Sequence, residues 1–151
     1  MISVLLADDH ALVRDALNAL LAAAGDITVV AECADGSEVL AAAVRTQPEV
    51  VVMDLVMPYR SGLEATRDLL DAGVPSRVIL LTGSFSVASV REARALGAAG
   101  YLLKGDDPAE LPRRIRDVAS GGSAWSPLAA GLLHTDGPLP TAPDDRGDYA
   151  E

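Results

Sequence analysis

The stretch Val50-Val51-Val52-Met53-Asp54-Leu55-Val56-Met57-Pro58 limits the possible folds of this chain more than any other. Four apolar residues, three of them β-branched, form a run with no polar alternation. That is the pattern of an interior parallel strand buried on both faces. Pro58 cannot donate to a ladder and stops the strand soon after. A single carboxylate, Asp54, is therefore carried to the carboxyl end of a central strand, the edge at which open α/β sheets bind ligands. Taken alone, Asp54 is equally a strand-ending residue that caps a loop.

The rest of the chain supplies the other strands. Apolar runs at Ile2 to Ala7, Ile27 to Glu32, Arg77 to Leu81 and Gly100 to Leu103 alternate with helical spacing at Ala11 to Ala24, Glu38 to Arg45, Gly62 to Leu70 and Val87 to Leu96. A fifth helix is expected from about Pro108, with Asp106 or Asp107 as its cap and Pro112 delaying or kinking its start. Strict alternation predicts an α/β three-layer sandwich. The expected sheet is parallel and five-stranded, in the flavodoxin-like (βα)5 order 2-1-3-4-5. From Gly121 the composition turns to Gly and Pro and ends in acids. Residues 121–151 are accordingly expected to be a linker and acidic tail, poorly ordered past about Leu133, behind a domain at 1–120.

Composition narrows the function. With 22 acidic and 12 basic residues the net charge is −10, which argues against direct contact with nucleic acid. Cys33 is the only cysteine, so no internal disulfide can form, and a reduced cytoplasmic setting is expected. The N-terminus lacks a basic flank and reaches Asp8 too soon for a signal peptide. No apolar stretch approaches the roughly 20 residues of a membrane span.

In this topology Asp8 and Asp9 follow the first strand, Asp54 the third, Thr82 the fourth and Lys104 the fifth, all at one edge. Two like charges ~4 Å apart repel by about 1 kcal/mol in water and about 4 kcal/mol at an effective dielectric near 20. A hard divalent cation relieves that repulsion, and oxygen-only ligands favour Mg²⁺. Asp54 could then serve as a nucleophile toward phosphorus, with Lys104, Thr82 and backbone amides facing the phosphoryl oxygens. Each residue also has an ordinary role: Asp8-Asp9 as a helix cap, Thr82 and Tyr101 as strand residues, Lys104 as a surface lysine.

Leu6-Ala7-Asp8-Asp9-His10, Met53-Asp54-Leu55-Val56-Met57-Pro58, Gly62-Leu63-Glu64-Ala65, Leu81-Thr82-Gly83 and Gly100-Tyr101-Leu102-Leu103-Lys104 together resemble the CheY-like receiver domain of two-component response regulators, of the NarL/FixJ type, over about residues 1–120. The resemblance implies that Asp54 accepts a phosphoryl group from the phosphohistidine of a histidine kinase. It implies Mg²⁺ held by Asp9, Asp54 and the backbone carbonyl of Val56, with Asp8 acting through water. Lys104 would contact the phosphoryl group, and Thr82 and Tyr101 would form a switch, Tyr101 turning inward from a more exposed rotamer. Such a protein is a phosphoacceptor that assists its own phosphorylation and dephosphorylation rather than an enzyme. A homodimer is expected through the face of the fourth helix, fifth strand and fifth helix, where Arg91, Arg94 and Arg113-Arg114-Arg116 lie near Glu92, Glu110 and Asp117. Should Pro112 reshape the fifth helix, the first helix is the alternative. Trp125, far along the chain, is not expected to sense the site.

Two departures stand out. Tyr59-Arg60-Ser61-Gly62 replaces a loop in which the family usually has a Gly and an Asp. The family's receivers also normally continue into a LuxR-type helix-turn-helix, and nothing in this chain offers two adjacent helices with a recognition face. The chain is thus expected to be a transcriptional regulator's receiver without its DNA-binding domain, or a receiver that acts alone through protein contacts. Competing readings are weaker. An Asp-nucleophile phosphotransferase or phosphatase usually wants an Asp where Val56 stands. A flavodoxin-like cofactor site would meet the repulsion of Asp8 and Asp9, and a degenerate receiver would not retain the full set.

Overall fold

A computed structural model describes residues 1–133. Six strands, β1 (Ile2–Ala7), β2 (Ile27–Cys33), β3 (Val50–Asp54), β4 (Arg77–Thr82), β5 (Gly100–Leu103) and β6 (Ala124–Trp125), form one parallel sheet in the order β2-β1-β3-β4-β5-β6. Helices α1 (Ala11–Ala23), α2 (Val39–Thr46), α3 (Gly62–Asp71), α4 (Val87–Ala95), α5 (Leu111–Ala119) and α6 (Pro127–Leu133) cover its two faces. Every residue of β3 is buried, as its unbroken apolar run requires.

The pleat of the sheet sends alternate β3 side chains into two cores. Val51 and Met53 join Leu5, Leu80 and Tyr101 beneath α2, α3, α4 and α6, whereas Val50 and Val52 join Leu6, Ile79 and Leu102 beneath α1 and α5. Cys33 lies in the first of these cores, and burial raises its thiol pKa to about 11. The neutral thiol is a poor nucleophile. Iodoacetamide at pH 8 is therefore expected to leave Cys33 unmodified in the native protein and to alkylate it in denaturant; rapid native labelling would mean that this core opens.

The helix ends follow local chemistry. Gly25, at φ +85°, follows α1 in the left-handed conformation that glycine adopts at little cost. At the start of α3, Ser61 Oγ accepts from Glu64 N (3.1 Å) and Glu64 Oε1 accepts from Ser61 N (2.9 Å), a reciprocal capping box. Pro108 opens a 3₁₀ turn through Glu110, and α5 proper begins at Leu111, so Pro112 falls in the first helical turn and costs no interior hydrogen bond.

The sixth strand corrects the expected five-stranded sheet, and β6 and α6 occupy residues whose composition suggested a linker. Gly100 pairs with Ala124 and Tyr101 with Trp125, while Ala124, Ser126 and Ala129 are wholly buried. A two-residue strand is too short to show a period, and the surrounding Gly and Pro residues read as loop. Gly100 is needed here: a β-carbon on it would lie 2.4 Å from the Ala124 carbonyl oxygen. The tail expected past Leu133 lies outside the described residues. Among those residues no helix is long and apolar enough to cross a membrane, and beyond α5 there is no pair of helices of helix-turn-helix kind.

Candidate functional site

Parallel register brings the ends of β1, β3, β4 and β5 to one edge, and the side chains there converge. Asp54 closes β3 and is only 6% exposed. Gly62 lets α3 approach this strand end; a β-carbon at that position would sit 2.4 Å from the Asp54 carbonyl oxygen. Asp8 is buried more deeply still, and Asp9 stands beside it, exposed at the surface. Lys104 reaches from the end of β5 between the two buried acids, its Nζ 3.0 Å from Asp8 Oδ2 and 3.1 Å from Asp54 Oδ2. The remaining oxygens accept backbone amides: Asp54 Oδ1 from Val56 N at 3.3 Å and Asp8 Oδ1 from His10 N at 2.8 Å.

One ammonium between two buried carboxylates cannot neutralise both. Burial raises the pKa of Asp54, and the neighbouring charge of Asp8 adds to this, against the lowering effect of Lys104. For Lys104, burial disfavours the ammonium, but its bonds to Asp8 and Asp54 outweigh that and hold its pKa above the ordinary lysine value. The site thus retains net negative charge. Asp8, Asp9, His10 and Asp54 each offer a ligand atom, all within 4.8 Å of one another. The three carboxylates of this set fit a hard divalent cation. His10, whose Nδ1 lies 3.2 Å from Asp9 and 3.3 Å from Asp8, was not among the expected site residues. Its place directly after Asp8-Asp9 was the available signal.

Thr82 lies one strand further along, on β4, and Tyr101 on β5 beyond it. Thr82 ends β4 and is buried, with its Oγ1 accepting from Ser84 N (3.0 Å) and donating to Ser84 O (3.1 Å). Tyr101 is fully buried, which corrects the expectation of an outward starting rotamer. Its hydroxyl lies 2.7 Å from Ser89 Oγ on α4, and its ring meets Phe85 edge-on with centroids 6.3 Å apart. The phenol is buried deeply enough to need a partner, and Ser89 supplies one. Replacing Ser89 by Ala is expected to cost about 1–3 kcal/mol, because the Tyr101 hydroxyl is left unpaired. Tyr101→Phe combined with Ser89→Ala should cost less than the two singles summed; strict additivity in urea unfolding would mean that the bond contributes nothing.

The departing loop is built from other contacts. Tyr59 takes a left-handed φ of +66° and lies almost wholly in solvent, so the turn carries strain of about 1 kcal/mol or more that a glycine would avoid. Arg60 makes a bidentate pair with Asp68 of α3, both distances 2.8 Å. Val56, expected to lend its carbonyl, stands two residues beyond Asp54 with its side chain exposed.

Comparison with known proteins agrees with this geometry. The response regulator receiver domain family matches residues 4–116. The uncharacterized transcriptional regulatory protein YxjL of Bacillus subtilis (strain 168) is 39% identical over 132 residues, which cover 87% of this chain and 61% of YxjL. The transcriptional regulatory protein LiaR of the same organism is 40% identical over 133 residues, covering 88% of this chain and 63% of LiaR. The crystal structure of a LuxR-family two-component response regulator from Aurantimonas sp. SI85-9A1 superposes with a TM-score of 0.82 at 36% identity, over 87% of this chain and 94% of that one. This chain thus spans about three fifths of the length of YxjL and LiaR. With its strand-end acids, its lysine and its parallel sheet, the chain belongs to the response regulator receiver family.

Proposed function

We propose that Asp54 is the phosphoacceptor of a two-component signalling protein, and that the phosphoryl donor is the phosphohistidine of a cognate histidine kinase. The observation that carries this reading is the bridge of Lys104 between Asp8 and Asp54 at the carboxyl edge of the sheet. It holds a cation where negative charge develops in phosphoryl transfer. Asp54 offers an ionised oxygen to phosphorus. The new P–O bond forms as the P–N bond breaks, and the imidazole leaves with the electron pair. Lys104 then has its ammonium within reach of a phosphoryl oxygen, and Thr82, released from Ser84, can donate to another. Asp9, Asp54 and the Val56 carbonyl would hold Mg²⁺, with Asp8 behind them. When bound, the cation supplies Lewis-acid stabilisation of phosphoryl charge. The chain carries the group as an acceptor and is not itself an enzyme with turnover of a separate substrate.

The output follows from β5, which carries Tyr101 and ends just before Lys104. Phosphorylation draws Thr82 toward Asp54 and alters the space beside Tyr101, which Ser89 ties to α4. Self-association is assigned to α1 rather than to the face of α4, β5 and α5, because β6 lies along the outer edge of β5 and α6 packs beside α4. Leu12, 84% exposed on α1, is an apolar contact available for this. In a protein of the length of YxjL or LiaR the readout would be transcription, through DNA contacts outside this chain. The acidic receiver itself touches no nucleic acid and works in the cytoplasm.

The test is incubation with acetyl phosphate and Mg²⁺ followed by intact-mass and peptide mapping. One phosphoryl group on Asp54, lost in EDTA-treated protein, is expected; labelling elsewhere would refute the assignment. Trp125 offers a second readout. Its register sets it beside Tyr101, although its distance along the sequence suggested a remote position. Its fluorescence is expected to change on phosphorylation in wild type and to change much less in Thr82→Ala.

A further inference from the structure

Beside the phosphoryl site, a concavity lies between α1 and α5. It encloses about 420 Å³, within the range of small-molecule sites. Its wall is aliphatic: Val13 and Leu17 from α1, Leu81 and Leu102 from the sheet, and Leu111 from the start of α5. Residues that pack this face elsewhere, such as Ile115 and Val118, leave no such gap and are fully buried.

The charged groups around this cleft are not equivalent. Lys104 is committed to Asp8 and Asp54. Glu110 pairs with Arg113, Asp107 caps Ala109 N, and Asp106 accepts from Leu103 N. All three acids are solvent-exposed, where water and salt screen them. Arg114 also lines the cleft but is half-buried, and no carboxylate among the described residues pairs with it. An arginine in a partly apolar wall without a carboxylate partner can serve as an anion receptor.

We propose that this cleft binds a small anionic amphiphile, an aliphatic carboxylate or its equivalent, with the chain among the leucines and the anion on Arg114. The apolar wall supplies affinity in proportion to the area it removes from water, and Arg114 selects the acid over the alcohol. Lys104 contributes to the same wall, so an occupied cleft lies one residue from the phosphoryl site. Pro127 does too, which brings the start of α6 to the rim. The site does not depend on the role proposed for Asp54, and the experiment separates the two by using Asp54→Asn protein alongside wild type.

The measurement is an amide NMR titration with sodium octanoate, and in parallel with 1-octanol. Saturable shifts confined to α1, the β5–α5 connection and α5, at one site per chain, are expected in wild type and in Asp54→Asn alike. Arg114→Gln should weaken octanoate about tenfold while leaving octanol unchanged, since one charge-assisted pair is lost and the wall is kept. Val13→Trp should fill the cleft and abolish both, with the melting transition retained. Equal octanoate affinity in wild type and Arg114→Gln would overturn the proposal. So would shifts that fail to saturate or that scatter over the surface, or an absence of binding by either probe, which would leave the cleft to a side chain of a protein partner.

Discussion

Asp54→Asn is expected to abolish phosphoryl uptake altogether while raising the melting temperature of the metal-free protein. The first effect follows from geometry: Asp54 is the buried carboxylate at the end of β3, and an amide oxygen cannot attack phosphorus to form a stable product. The second follows from its raised pKa. A carboxyl group that holds its proton more tightly when folded stabilises the fold below the ordinary carboxylate range. That contribution is lost as pH rises through the raised folded value, so at neutral pH the ionised group opposes folding. Removing its charge leaves Lys104 fully available to Asp8. Thermal unfolding in EDTA at pH 7 gives the comparison. A variant less stable than wild type would show that Lys104 more than compensates the buried charge.

Lys104→Ala is expected to move two quantities in opposite directions. Without the ammonium, phosphoryl transfer from acetyl phosphate should slow on the order of 10²-fold, the cost of losing one preorganised donor to developing negative charge. The cation site should meanwhile tighten, about tenfold, because three carboxylates then face the metal without an internal competitor, and even a screened interaction of this kind amounts to more than 1 kcal/mol. Isothermal titration with Mg²⁺ and a time course of phosphorylation check the two halves. Weakened Mg²⁺ binding would mean that Lys104 holds the acids in place for the metal rather than competing with it.

The sequence made the architecture legible where apolar runs were long and bounded. Val50 to Met53 read as an interior strand, and Asp54 alone left its end ambiguous, but Asp8, Asp9, Thr82 and Lys104 at the ends of the neighbouring strands placed all five at one edge. Features that depend on contacts between distant elements were out of reach. The bond between Ser89 and Tyr101 joins a helix serine, unremarkable in its own surroundings, to a strand residue twelve positions on. The inward rotamer of Tyr101 depends on that bond and on Phe85. Trp125 appeared remote because sequence distance was read as spatial distance, whereas parallel pairing sets it beside Tyr101. His10 was visible in sequence but was counted as part of a motif rather than as a donor atom.

The edge of the sheet has a mechanical consequence. β6 is fastened to β5 through two residue pairs, fewer than join any other neighbouring strands, and α6 is a short helix that depends on burying Ala129. Local opening free energies rise with the number of contacts a segment must surrender. Among the described residues, β6 and α6 therefore form a strap that can loosen while the five inner strands stay whole, and its buckle is Tyr101, the residue paired with Trp125. Anything that changes how tightly Tyr101 is seated changes the grip on the strap. A change in the seating of Tyr101 would thus be felt first in β6 and α6.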